Sequence, residues 1–285
     1  MLKLRFKYLS VFFALVSILS FLNVLYSYYF NLYLNLDTYF YTLIVSLVIS
    51  LTFYKIKTQD NKPNIFDKIL TILFGYFLLP LVLSIPFYFS IYNISFINAL
   101  FESVSGFTST GFSSFENIKH IDQSLIIWRS SIQWIGGFYF LFSIIFLIDI
   151  YDESLKKSLT NFFSFNSSEI IKQTSKIFIL YSSLTFVIFI ILNLLDIRSF
   201  NSLNLSMTII SSGGFLPVNE ISTILNSDIE KLVFSLLMLI SYFSIFFIYN
   251  LIFFKERNKD FFYEDFHLVF YLTIILSIFF IFFSF

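Results

Sequence analysis

The sequence predicts an all-α integral membrane protein of about seven transmembrane helices, with two short re-entrant helices that each lead into a glycine-containing turn. Three observations carry that prediction. The 285 residues are 58% hydrophobic, 22% aromatic and 13% charged, with a mean hydropathy of +0.83; an ordinary soluble domain is about 45–50% apolar and about 25% charged. Seven apolar runs, at 8–31, 38–54, 69–92, 126–150, 176–195, 229–254 and 267–285, approach the roughly 20 residues that a helix needs to cross a bilayer core. Two further stretches between those runs, 93–125 and 196–228, carry helical patterning where plain loops would be expected.

The first run follows Lys3, Arg5 and Lys7, but it is long and no small-x-small cleavage site follows it, so it reads as a retained anchor helix. In the third run Pro80 and Pro86 are expected to kink the helix. Basic residues orient the set. With the N-terminus cytoplasmic, 14 of the 18 Lys and Arg fall on the inner side, leaving Lys119, Arg129, Arg198 and Lys231 outside. The expectation is a multi-pass protein of the cell (inner) membrane. The links at 55–68, 151–175 and 255–266 are short and polar, and no soluble domain is visible.

Composition also excludes functions. Lys+Arg and Asp+Glu are equal at 18 each, which offers no polyanion such as nucleic acid a partner surface. There is no Cys, and His120 and His267 are the only histidines. That removes thiol chemistry and His-rich metal sites. A membrane enzyme is the weakest reading, because no cluster of His, Asp and Cys converges on one face. His120-Ile121-Asp122 reads as ordinary loop, and Asp149, Asp152 and Glu153 as a solvated inner helix end. Glu116, Asp122, Glu220 and Asp228 lie on the outer side, where acidic groups can concentrate cations or simply face water.

The two patterned stretches repeat each other. In the first, apolar residues at 96, 97, 100, 101 and 104 mark a helix too short to span; in the second, 200, 203, 207 and 210 do the same. Each then runs into glycine: Gly106-Phe107-Thr108-Ser109-Thr110-Gly111-Phe112-Ser113, and Ser211-Ser212-Gly213-Gly214-Phe215-Leu216-Pro217. Four of the seven glycines sit here, and Ser109–Phe112 aligns with Ser212–Phe215 at an offset of 103. The unit is helix, short helix, glycine turn, helix, used twice. Non-helical backbone at membrane depth survives only inside protein or lining a wet cavity. Glycine there permits positive φ or close approach. Carbonyls aimed at an axis can replace the hydration shell of a cation, with help from the negative end of the short helix and from the hydroxyls of Thr108, Ser109, Thr110 and Ser212. An all-oxygen donor set suits a hard cation. The plainer alternative, two surface turns, is weakened by their shared position in the repeat.

Residues 99–111 (Ala-Leu-Phe-Glu-Ser-Val-Ser-Gly-Phe-Thr-Ser-Thr-Gly) followed by 125–137 (Leu-Ile-Ile-Trp-Arg-Ser-Ser-Ile-Gln-Trp-Ile-Gly-Gly) resemble the first pore repeat of the TrkH/KtrB (Trk/Ktr/HKT) potassium-uptake transporters. The second repeat resembles it less sharply, through Ser212-Gly213-Gly214-Phe215, and the helices before residue 60 resemble the extra N-terminal pair of the TrkH branch. The resemblance implies an ion-binding filter formed by Thr108, Ser109, Thr110, Gly111, Phe112, Ser212, Gly213, Gly214 and Phe215, with K+ held at Thr110, Gly111, Gly213 and Gly214. Gly111, where serine would stand in sodium-favouring relatives, implies potassium. Potassium would be cargo, with no cofactor. Structural support is expected from Glu102, Arg129, Gln133, Gly136 and Gly137: ionisable groups at such depth are usually paired, so a Glu102–Arg129 ion pair would hold the short helix, direct ion coordination by Glu102 being the lesser alternative, and Gly136-Gly137 allows close packing or a bend.

The implied organisation is an N-terminal helix pair (1–60), a first repeat (61–155), a second repeat (156–260) and the first helix of an incomplete third (261–285). The family surrounds its pore with four repeats. A truncated or partial member is therefore expected, which either pairs with a second copy (a homodimer) or a complementary half, or is a non-conducting fragment or accessory subunit. Besides membrane lipid, the family implies a cytosolic nucleotide-binding regulatory subunit of TrkA type as partner.

Overall fold

The computed structural model describes residues 4–56, 64–147 and 170–242, together with 270, 271, 274 and 275. The described chain is helical: α1 (Phe6–Tyr29), α2 (Leu36–Lys55), α3 (Ile65–Leu83), α4 (Ile85–Tyr88), α5 (Phe96–Phe107), α6 (Gln123–Leu147), α7 (Ile170–Leu194), α8 (Ser199–Ser211) and α9 (Asp228–Tyr242). Five stretches are long and apolar enough to cross a membrane: α1, α2, α3 with α4, α6 and α7. The chain is an all-α integral membrane protein. The sixth apolar run opens as α9; the acidic group at 149–153 and nearly all of the seventh run and of the expected third repeat lie outside the described residues.

Boundaries depart from the apolar runs where polar residues are helical. Hydropathy opens the fifth run at 176, yet Ile170 to Ser175 are already helical, because Lys172, Gln173 and Lys176 are good helix formers. In the third run the break falls between the two prolines, at Ser84, whose amide donates to the Pro80 carbonyl at 2.9 Å. Pro86 sits in the first turn of α4, where a missing N–H costs nothing. Carbonyls around the break find outside donors: Ser103 Oγ reaches Pro80 (2.7 Å) and Trp128 Nε1 reaches Leu83 (3.1 Å).

α1 pairs along α2, and α6 runs through the centre against α1, α3, α5, α7 and α8. Unlike an amphipathic surface helix, α6 is buried on every face from Ser124 to Gly136, and only its last turns open a stripe at Phe140. Its two glycines set how closely the short helices approach. A Cβ on Gly136 would overlap the Phe107 carbonyl at the end of α5, and one on Gly137 would lie 3.1 Å from the Ser211 backbone at the end of α8. One central helix thus receives the carboxyl ends of both short helices at successive residues. The loops at their far ends also meet: Ile118 N donates to Asn219 Oδ1 (2.8 Å) and Asn219 Nδ2 to Asn117 Oδ1 (3.0 Å).

Candidate functional site

α5 is capped by Ser95, whose hydroxyl accepts from Asn98 N (3.3 Å). It ends at Phe107, and the chain turns through Ser109 (φ 55°) to Gly111 (φ 82°). The Thr110 amide bonds the Ser105 carbonyl (2.9 Å), the Ser109 amide bonds Gly106 (3.0 Å), and Ser105 Oγ donates to the Phe112 carbonyl (2.5 Å). Adding 103 to each number gives the second turn. Ser212 has φ 53° and Gly214 has φ 92°. Gly213 N bonds Thr208 O (3.0 Å), Ser212 N bonds Ile209 O (3.1 Å), and Thr208 Oγ1 donates to Phe215 O (2.7 Å). The repeat is therefore written in hydrogen bonds as well as letters.

The turns converge. A Cβ on Gly111 would come within 2.5 Å of the Gly213 carbonyl oxygen and 3.2 Å of Gly214 Cα; one on Gly214 would lie 3.5 Å from Gly111 Cα. Glycine is demanded twice over, by left-handed φ and by this approach. Among the described residues, no hydrogen bond engages the carbonyls of Thr110, Gly111, Gly213 or Gly214, whereas those of Phe112 and Phe215 are taken by Ser105 and Thr208. Four unclaimed carbonyls thus sit where two backbones touch. The hydroxyls of Thr108 and Thr110 bond each other (2.7 Å).

The supporting residues surround these turns. Arg129 Nε donates to Glu102 Oε1 at 2.7 Å, with both side chains buried. The guanidinium also reaches Ser113 Oγ (3.0 Å) beyond the first turn and the Leu216 carbonyl (3.4 Å) beyond the second, and it lies over the Phe215 ring at 4.2 Å. Glu102 uses its other oxygen for Ser114 N (2.7 Å). Glu102 is fully buried, and its two oxygens accept from Arg129, Ser113 and Ser114. Gln133 accepts from Phe215 N and Thr208 Oγ1, both at 3.2 Å.

Of the outer acidic groups, Asp122 is engaged, accepting from Asn35 Nδ2 (3.3 Å) and Ser124 Oγ (3.0 Å); Glu116, Glu220 and Asp228 are exposed. His120 ends an exposed 3₁₀ turn. Among the described residues no group of three His, Cys, Asp or Glu could hold a metal. Composition and motif reading missed Ser105 and Thr208, which close the turns, and Asn219, which ties the loops. The first two were recoverable, since the same offset of 103 pairs two short hydroxyl residues seven positions before two phenylalanines.

No family model matches the chain. The potassium transporter TrkH from Vibrio parahaemolyticus superposes with a TM-score of 0.67 at 21% identity, over 84% of this chain and 49% of TrkH. The chain has the fold of about half of TrkH. In sequence it is 27% identical to an uncharacterized cation transporter of Methanocaldococcus jannaschii, over 68% of this chain and 43% of that protein. Over shorter stretches it is 42% identical to the Trk system potassium uptake protein TrkI of Halomonas elongata (21% of this chain, 11% of TrkI) and 40% identical to TrkG of Escherichia coli (16% and 9%). The resemblance to the TrkH/KtrB transporters thus holds in fold and in sequence. The named relatives are transporters, not enzymes, and the chain spans less than half the length of each of them.

Proposed function

We propose that the chain forms part of a pore for potassium uptake across the cell membrane, with dehydrated K+ held by the peptide carbonyls of Thr110, Gly111, Gly213 and Gly214. One observation carries this reading: two repeat-related turns meet glycine to glycine with those four carbonyls unclaimed. Carbonyl dipoles can stand in for the ion's water shell, and the carboxyl ends of α5 and α8 lead into the turns with their negative dipole ends. The repeats 61–155 and 156–260 supply half of a four-stranded ring. A second copy about a two-fold axis, or a complementary half, supplies the other two strands. The N-terminus faces the cytoplasm, where a nucleotide-binding subunit of TrkA type would dock. That the relatives TrkI and TrkG are named for potassium uptake supports potassium as the cargo.

The test is growth of a potassium-uptake-deficient bacterium at limiting K+. The chain is expected to restore growth, and Gly111→Ser to abolish it at unchanged membrane abundance. Rescue by Gly111→Ser equal to wild type overturns the filter assignment. Absence of rescue by an abundant, membrane-inserted chain favours the other reading, a non-conducting piece or accessory subunit.

A further inference from the structure

Gly213 poses a question that its backbone does not answer. Gly111 and Gly214 have left-handed φ, but Gly213 does not, and its repeat counterpart is Thr110, which carries a full side chain. The three atoms that a Cβ at Gly213 would meet first all belong to one group, the carboxamide of Gln133, whose Cδ, Oε1 and Nε2 it would overlap. Gln133 comes from the third turn of α6, a helix of the first repeat, so the intrusion crosses the repeat boundary. It is fully buried, and its Oε1 accepts from Phe215 N and Thr208 Oγ1. Thr208 has one hydroxyl proton between two acceptors, the Phe215 carbonyl at 2.7 Å and Gln133 at 3.2 Å. Among the described residues the Phe112 amide, the counterpart of Phe215, has no side-chain acceptor.

Gln133 is a poor residue for packing alone. Its Nε2 is buried without a hydrogen-bond partner, and an unpaired buried donor is destabilising. A leucine or methionine of similar volume would avoid that cost. Its acceptor oxygen is the compensating feature, and what it accepts is the peptide N–H directly after Gly214.

We infer that Gln133 is a positioning residue: from the first repeat it fixes the Gly214–Phe215 peptide plane, and so the direction of the carbonyls that the second turn offers to K+. This rests on the potassium-pore reading above. Substitution there changes ion preference more than fold stability.

The experiment measures thermal unfolding of the purified full-length chain in nanodiscs against KCl and NaCl titrations at constant ionic strength. Wild type is expected to be stabilised by K+ more than by Na+. Gln133→Leu is expected to raise the K+ concentration at half-effect about tenfold and to narrow the K+/Na+ difference; because it exchanges one unpaired buried donor, Nε2, for another, the Phe215 amide, the melting temperature without K+ should stay close to wild type. Thr208→Val, which removes the hydroxyl between the two acceptors, is expected to act in the same direction, and Thr208→Ser to restore wild-type behaviour; this pair carries the test if Gln133→Leu does not fold. Unchanged K+ midpoints in the variants, with wild type responding, overturn the inference and leave the pore reading standing. Equal loss of stability with and without K+ also overturns it. A wild type indifferent to K+ removes both.

Discussion

The two glycine turns share a backbone and differ in what holds them. Each is closed by its own short helix in the same way, through a left-handed serine, a left-handed glycine and a hydroxyl seven residues before a phenylalanine. Their surroundings diverge. The first turn presents Phe112 70% exposed, while the equivalent Phe215 is 2% exposed beneath Arg129. The first is tied down after its glycine by Glu102, through Ser113 and Ser114. In the second, Leu205 stands where Glu102 would be, and it is held from outside by α6 through Gln133 and Arg129. Local sequence thus makes the conformation, and a neighbouring helix sets the placement. One repeat carries its own support; the other borrows it.

The largest effect is expected where the borrowed support and the resident support join. Arg129 is buried with Glu102 and bonds segments after both turns. Arg129→Ala strands the Glu102 carboxylate in the interior and should cost about 3–5 kcal/mol. It is read as loss of monodisperse protein after detergent extraction. Arg129→Lys keeps the charge but not the planar fork and should fall between. If Arg129→Ala unfolds like wild type, the two turns are not held by a common post and the comparison fails.

A finer cut separates the two contacts on α6. Gly136 meets the end of the first short helix and Gly137 the end of the second. A methyl at 136 runs into backbone, the Phe107 carbonyl, which cannot rotate away. A methyl at 137 meets Tyr181 Oη at 2.8 Å and the Ser211 backbone at 3.1 Å, and a hydroxyl on a ring can give way. Overpacking costs about 1–3 kcal/mol. Gly136→Ala should sit at or above the top of that range and Gly137→Ala near the bottom, compared by melting temperature in one lipid. The reverse order would mean that the second turn is the more tightly seated.

Much of this was legible in the sequence because membrane burial leaves a coarse mark. Apolar runs, scarce glycines and a repeat offset survive without knowledge of packing. The Glu102–Arg129 pair was also readable, since two ionisable groups in such surroundings need each other. Gln133 lies in the most specific motif of the chain, yet nothing in that motif says that it serves the other repeat, because pattern along one helix does not reveal which neighbour its face meets. The helical turn from Ile170 to Ser175 was missed for a different reason: hydropathy reports the membrane, and lysines extend helices beyond it.

The smallest expected effect lies where the outgoing helices begin. α6 starts beside Asp122, half-buried and bonded to Asn35 and Ser124. α9 starts with an exposed capping box: Glu230 Oε1 accepts from Ser227 Oγ (2.8 Å), Oε2 from Asn226 N (2.7 Å), and Ser227 Oγ accepts from Glu230 N (3.2 Å). The Ser227 hydroxyl, then the Asn226 amide, holds the Glu230 carboxyl below the usual carboxylate range. A depressed folded value means that the contribution is present above the ordinary carboxylate pKa and is lost as pH falls through the lowered one. Glu230→Gln should therefore lower the melting temperature slightly at neutral pH and not at all in acid, where both chains carry a neutral side chain. Asp122→Asn removes a charge from a half-buried network and should cost more at neutral pH. An equal cost at both positions would show that the first repeat's outgoing helix is no more firmly anchored than the second's, and that the asymmetry is confined to the turns themselves.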